Sequence, residues 1–149
     1  MPLESTIPED ARDVLLQLAR QGLLPDGASA AKKIVAADAA YVVTQYDSGA
    51  LIQSATDSAV ITLGASLPAG TVVTVQNTGA DGAALVSISP AAADKIVGTV
   101  DSVQSDGALD KDWQNTKATA NQGDFTTLVY DGVDTWWIVG GVGVWASEA

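Results

Sequence analysis

Side chains able to do covalent or proton chemistry are few in this sequence and poorly spaced for it. Histidine and cysteine are both absent. That removes the usual general base, thiolate nucleophiles, disulfides and the commonest zinc ligands. A Ser–Lys pair remains a route to an activated hydroxyl, but Lys32, Lys33, Lys95, Lys111 and Lys117 lie in no recognisable nucleophile motif. Two carboxylates could in principle cleave a glycoside. Most of the aspartates, however, fall in turn sequences, where bonding to nearby backbone is reason enough for them. "DGALDKDWQN" (106–115) offers Asp106, Asp110 and Asp112 as oxygen ligands for calcium. It lacks the alternating ligands, the glycine at position six and the glutamate at position twelve of an EF-hand loop, so a solvated loop is the plainer reading. "GGVG" (140–143) follows a strand pattern, but no helix follows to receive a phosphate; a bend or a bulge suffices. No catalytic residue, metal or cofactor is assigned.

The tryptophans are more informative. "DTWWIVGGVGVW" (134–145) holds three of the four, Trp136, Trp137 and Trp145. Neighbours on a strand point to opposite faces, so a strand here sends one indole of the 136–137 pair inward and the other outward. Three readings stand for the outward ring. It rests on a partly exposed face, which is ordinary; or it joins Trp145 and Trp113 in a subunit contact; or it is a platform for a sugar ring. Trp136, Trp137 and Trp145 are therefore candidate core or subunit-contact residues.

The elements that must position these residues change character along the chain. Residues 6–22 read as a helix. Thr6 and Glu9 form a capping box, Pro8 suits the first turn, and Ala11, Val14, Leu15 and Leu18 make one apolar stripe. Gly22 ends it, with Leu23 placed to fold back on Leu18 and Pro25 beyond. Such a helix is marginal alone and needs a surface to dock on. "LPDGASAAKK" (24–33) reads as a linker. The period then becomes strand-like: 40–46, 50–53, 59–63, 71–77, 84–89, 125–130 and 135–140 are candidate strands, with 142–145 as a last edge. They are rich in Val, Ile, Thr and aromatics and are separated by "LPAG", "NTGADG", "SPAAAD" and "DGVD" turns. Residues 101–123 are too long for a hairpin turn and are expected to leave the sheet. With no helix between strands, the expected fold is mainly β: an antiparallel sandwich or barrel-like domain over 34–149, preceded by a helix and linker arm over 1–33.

Composition limits the partners. Lys and Arg total 7 against 18 Asp and Glu, for a net charge of -11. Phosphate backbones and anionic membranes should repel such a chain. The start "MPLESTIPEDARD" lacks the features of a signal peptide, and no stretch reaches the roughly 20 apolar residues of a membrane span. A soluble protein made in a cytoplasm is expected.

"ITLGASLPAGTVVTVQNTGADGAALVSISPAAADKIVGT" followed by "NTKATANQGDFTTLVYDGVDTWWIVGGVGVW" resembles a recurrent β-domain of tailed-bacteriophage virion proteins, found in capsid decoration proteins and in domains of tail fibres. The shared order is strand, LPAG-like turn, strand, "SISP" with a D-x-I-x-G step, a G-D-F/Y strand ending in "DG", and a W-W/Y-I strand. It covers roughly residues 59–146 and carries no catalytic residues. The resemblance implies a non-enzymatic decoration protein, assembled in the host cytoplasm and carried on the outer surface of the capsid. Its expected partner is the major capsid protein, and the expected form is a homo-oligomer, a trimer. Val14, Leu15 and Leu18 would be capsid-contact residues of the arm. The competing expectation is a tail-fibre or baseplate domain that recognises host glycans.

Overall fold

A computed structural model describes residues 32–149. The helix expected over 6–22, with Val14, Leu15 and Leu18, lies outside the described residues. Those described are mainly β. The first seven strands are β1 (Ile34–Ala36), β2 (Ala40–Val43), β3 (Ala50–Ser54), β4 (Ala59–Leu63), β5 (Val72–Asn77), β6 (Val86–Ser89) and β7 (Lys95–Val97). The rest are β8 (Thr99–Val100), β9 (Val103–Gln104), β10 (Trp113–Asn115), β11 (Phe125–Tyr130), β12 (Thr135–Val142) and β13 (Trp145–Ser147). One sheet has the order β1-β3-β5-β11-β12-β7 and the other β13-β10-β6-β4-β2, while β8 and β9 form a small hairpin. The two large sheets share one core, drawn from Ile52, Val73, Val75, Leu128 and Trp136 on one side and Val43, Ile61, Leu63, Val86, Ile88 and Trp113 on the other.

The sandwich-like arrangement is as expected, but the strand directions are not. From β1 to β6 successive strands alternate between the two sheets, so neighbours among them within a sheet are two strands apart in sequence. β1–β3, β3–β5, β2–β4, β4–β6 and β7–β12 are all parallel. Only the pairs made by β10, β11 and β13, and the β8–β9 hairpin, add antiparallel ladders. A parallel connection needs a crossover of a dozen or more residues, commonly a helix; here a strand of the opposite sheet serves as the crossover. The expected antiparallel sandwich is thus corrected to a mixed one.

Side-chain alternation explains why each strand sits where it does. β5 and β11 both alternate half-buried and buried residues over their full length. Val73 and Val75, and Thr126, Leu128 and Tyr130, point to the core, and the residues between them point out. Residues 101–123 leave the two large sheets as expected except at β10, which returns to one of them. Their β10 lies between β6 and β13, where Trp113 is fully buried and stacks on Trp145 with ring centroids 6.4 Å apart.

Buried polar groups tie the layers together. Asn77 of β5 donates to the Asn115 side chain of β10 at 2.8 Å and to the Ala84 carbonyl at 2.9 Å. Asn115 in turn donates to Asp124 and to the Val144 carbonyl, each at 3.1 Å. At the other end, buried Asp47 accepts from the Lys33 ammonium at 2.6 Å, the Tyr41 hydroxyl at 2.9 Å and the Thr44 amide at 2.8 Å. Burial pushes the Asp47 carboxyl up, but these donors outweigh it and hold the group below its ordinary range.

Candidate binding surface

The "WW" pair is divided by the pleat. Trp136 is fully buried and stacks on Tyr130 with centroids 4.7 Å apart and ring planes at 23°. Trp137 points the other way and keeps 48% of its surface exposed. Trp145 is fully buried, and its indole N–H donates to the Val142 carbonyl at 3.1 Å. Trp136 and Trp145 are therefore core residues of this chain, as is Trp113. The imagined surface patch combining Trp137 with Trp145 and Trp113 does not form, because the stack between the latter two closes the core beneath β13. Trp137 alone faces out.

The residues around it are set by strand register. Val72, Val129, Trp137 and Val97 are consecutive partners on β5, β11, β12 and β7 and form one row across the outer face. The next row on that face runs Ile34, Leu51, Thr74, Thr127, Gly140. A third runs Ala36, Gln53, Gln76, Phe125, Val142. Thr74 and Thr127 share a hydrogen bond of 2.9 Å, and Gln53 donates to Gln76 at 2.9 Å. These cross-strand pairs hold the polar side chains flat between the apolar ones. A bulge lies immediately before the "GGVG" stretch: register slips between Thr127 and Leu128, leaving Val139 without a partner and 60% exposed.

Charge is sparse on the surface just described. Among the described residues, Lys95 is the one charged side chain that lies within a strand; it stands at the edge of this face, two residues from Val97 on the same side of β7, and the others lie outside the strands. The outer face of the second sheet is uncharged. Its row Ala40, Val60, Ser87, Gln114, Ala146 has Ser87 buried, and its exposed large apolar side chains are Val42 and Val60, with no aromatic ring exposed to match Trp137. The first face carries Ile34, Trp137 and Val142 among its exposed large apolar side chains, and aromatic, charge-poor composition is what distinguishes the centre of a protein interface. Sequence reasoning found Trp137 but missed Val72, Val97, Val129 and Phe125. The signal was available: "VVTVQN", "FTTLVY" and "TWWIVGGV" contain no charge on either period-2 face.

Other chemistry is sparse. Among the described residues no three His, Cys, Asp or Glu side chains gather as a metal cluster. Asp106 bonds the Ala108 amide at 3.0 Å, an ordinary turn contact. No described helix is long and apolar enough to cross a membrane. The chain matches no protein-family model and no curated protein sequence.

Proposed function

We propose that this chain is a non-enzymatic decoration protein that binds the outside of a bacteriophage head through the Trp137 face and stabilises the lattice by bridging capsid subunits. One observation carries the reading: a valine- and tryptophan-rich sheet face with Lys95 as its one strand charge, on a chain whose other charged side chains, among the described residues, lie outside the strands. A surface of that kind gains free energy by being covered, and it has no group aimed at transforming what covers it. The order of motifs from 59 to 146 supplies the partner class, the major capsid protein, and the threefold lattice positions that a trimer would occupy. The arm is a second contact on the strength of its sequence pattern alone. Joining two weak contacts raises avidity by about 10² to 10⁴-fold when both can engage together. Because only the assembled lattice offers both, binding stabilises the lattice by mass action.

The test is saturation of undecorated heads with labelled protein, followed by imaging on whole virions. A stoichiometry equal to the number of local threefold positions, with label spread over the head, supports the proposal. Label confined to the tail would replace it with the tail-fibre reading. For that reading the half-exposed Trp137 indole is a suitable sugar platform, and a change in Trp137 fluorescence on adding host-surface glycans is its signature.

A further inference from the structure

At one end of the sandwich the Leu67 turn, the alanine run 91–93 and the turn joining β11 to β12 enclose a cleft of about 570 Å³. That volume lies in the range of sites that take a small ligand or a single long side chain. The walls include Leu67, Ala91, Ala92, Ala93 and Val133, and the polar side chains among its lining are Ser66, Asp94 and Tyr130. Asp94 is 95% buried, since 5% of its surface remains exposed, and it has no full hydrogen-bond donor. The Tyr130 hydroxyl has one proton and gives it to the Val133 carbonyl at 3.0 Å, leaving Asp94 Oδ1 at 3.5 Å. Asp94 Oδ2 has no partner, and the nearby Trp136 indole N–H makes no hydrogen bond of good geometry. The adjacent cation, Lys95, pairs with Asp134 at 3.6 Å. Asp131 spends its carboxylate on the amides of Val133, Asp134 and Thr135.

A buried carboxylate without donor or counter-ion is expensive. Burial raises the affinity of Asp94 for a proton; the Tyr130 hydroxyl and the nearby Trp136 indole oppose this, Asp134 and Asp131 add to it, and the net shift stays upward. The environment therefore lacks one cationic donor at the carboxylate. A metal ion does not fit, because no three ligating side chains converge among the described residues. An anion is repelled by the three aspartates, and a purely apolar ligand would leave the carboxylate as it is. An apolar stem with a compact N–H donor at its end satisfies both the walls and the charge.

We propose that this cleft binds a primary alkylammonium group, with the ammonium on the Asp94 carboxylate and the methylene chain against Leu67, the alanines and Val133. Such a group is supplied either by a lysine side chain of a partner protein or by a free diamine. The site is separate from the Trp137 face and stands or falls independently of the decoration reading.

The test is calorimetric titration of the full chain with n-butylammonium chloride, with n-butanol as the neutral analogue. Saturable butylammonium binding that weakens at least tenfold in Asp94→Asn, and is blocked in Ala92→Trp, supports the site. Ala92 is an exposed wall residue, so its replacement fills the cleft with the carboxylate left in place. Butanol binding as tightly as butylammonium, no saturable binding at all, or full binding by both variants would overturn it. Nα-acetyl-lysine methylamide and 1,4-diaminobutane then separate the sources: the tighter of the two names the origin of the ammonium.

Discussion

Trp136 and Trp137 are chemically identical and one peptide bond apart, yet their substitution should have opposite consequences. Removing the buried ring of Trp136 empties the space against Tyr130, and Trp136→Ala should lower stability by about 3–5 kcal/mol in denaturant unfolding. Trp137→Ala removes a half-exposed ring and should cost less than about 1 kcal/mol. The same change takes roughly 100 Å² of apolar contact from the proposed interface, about 2 kcal/mol or roughly 30-fold in affinity for heads. A second pair of residues separates by pH. The folded-state pKa of Asp47 is depressed by its donors, so its contribution is complete above the ordinary value of 3.8 and fades as pH falls below it. That of Asp94 is raised by burial, so its contribution is complete below 3.8 and is lost as pH rises through the elevated value. Between neutral pH and about pH 3, the advantage of the wild type over Asp47→Asn should therefore shrink on acidification, while that over Asp94→Asn should grow. Unfolding curves of the three proteins across that range measure both; parallel pH profiles would contradict the assigned environments.

Within β12 and its exit, the glycines of "GGVG" do different jobs. Gly143 has φ of +106°, and a Cβ there would overlap the Asp124 carboxyl, the group that anchors Asn115. Gly140 has open space at its Cβ position and no positive φ. Gly143→Ala should thus disrupt the crossing from β12 to β13 and lower the thermal midpoint, whereas Gly140→Ala should leave it unchanged or raise it slightly. The expected strands 59–63 and 125–130 coincide with β4 and β11, and most of the others with β3, β5, β6 and β12, because alternation of Val, Ile and Thr with small polar residues states directly which side is buried. Alternation does not say which strand lies alongside, so it carried no sign of the parallel β1–β3–β5 and β2–β4–β6 ladders. β10 was illegible for another reason. "WQN" is too short for a period, and the stack that fixes Trp113 comes from Trp145, far along the chain. Trp137 was visible as one of a pair but not as the outward one. Asp94 looked like a turn residue of "SPAAAD", since its burial depends on β11 and β12 closing over it.

At the scale of the molecule, the distribution of charge decides how it can associate. Among the described residues, acidic groups lie outside the strands and leave the two sheet faces with Lys95 at one edge as their one charge, so two copies, or a copy and an acidic lattice, repel at the rim and attract where a face is covered. Added salt screens the rim with a Debye length that falls from about 10 Å at 0.1 M to about 3 Å at 1 M, and it leaves apolar contact intact. Binding to heads through the Trp137 face should therefore persist or tighten as salt rises, opposite to the loss expected of contacts built on ion pairs. A charge placed in the face should act the other way. Thr127 lies beside Thr74 in the row next to Trp137 and is half-buried, so a lysine there can extend into water while the protein is free. Covering it would desolvate the ammonium without a partner, a cost of several kcal/mol. Thr127→Lys should keep a near wild-type unfolding midpoint and lose head binding by more than 100-fold, roughly 3 kcal/mol. Glu148→Lys, a larger change in net charge on an exposed residue of the C-terminus, should bind normally. Co-sedimentation of both variants with undecorated heads reads the difference; equal binding by the two would show that the face is not where the lattice is held.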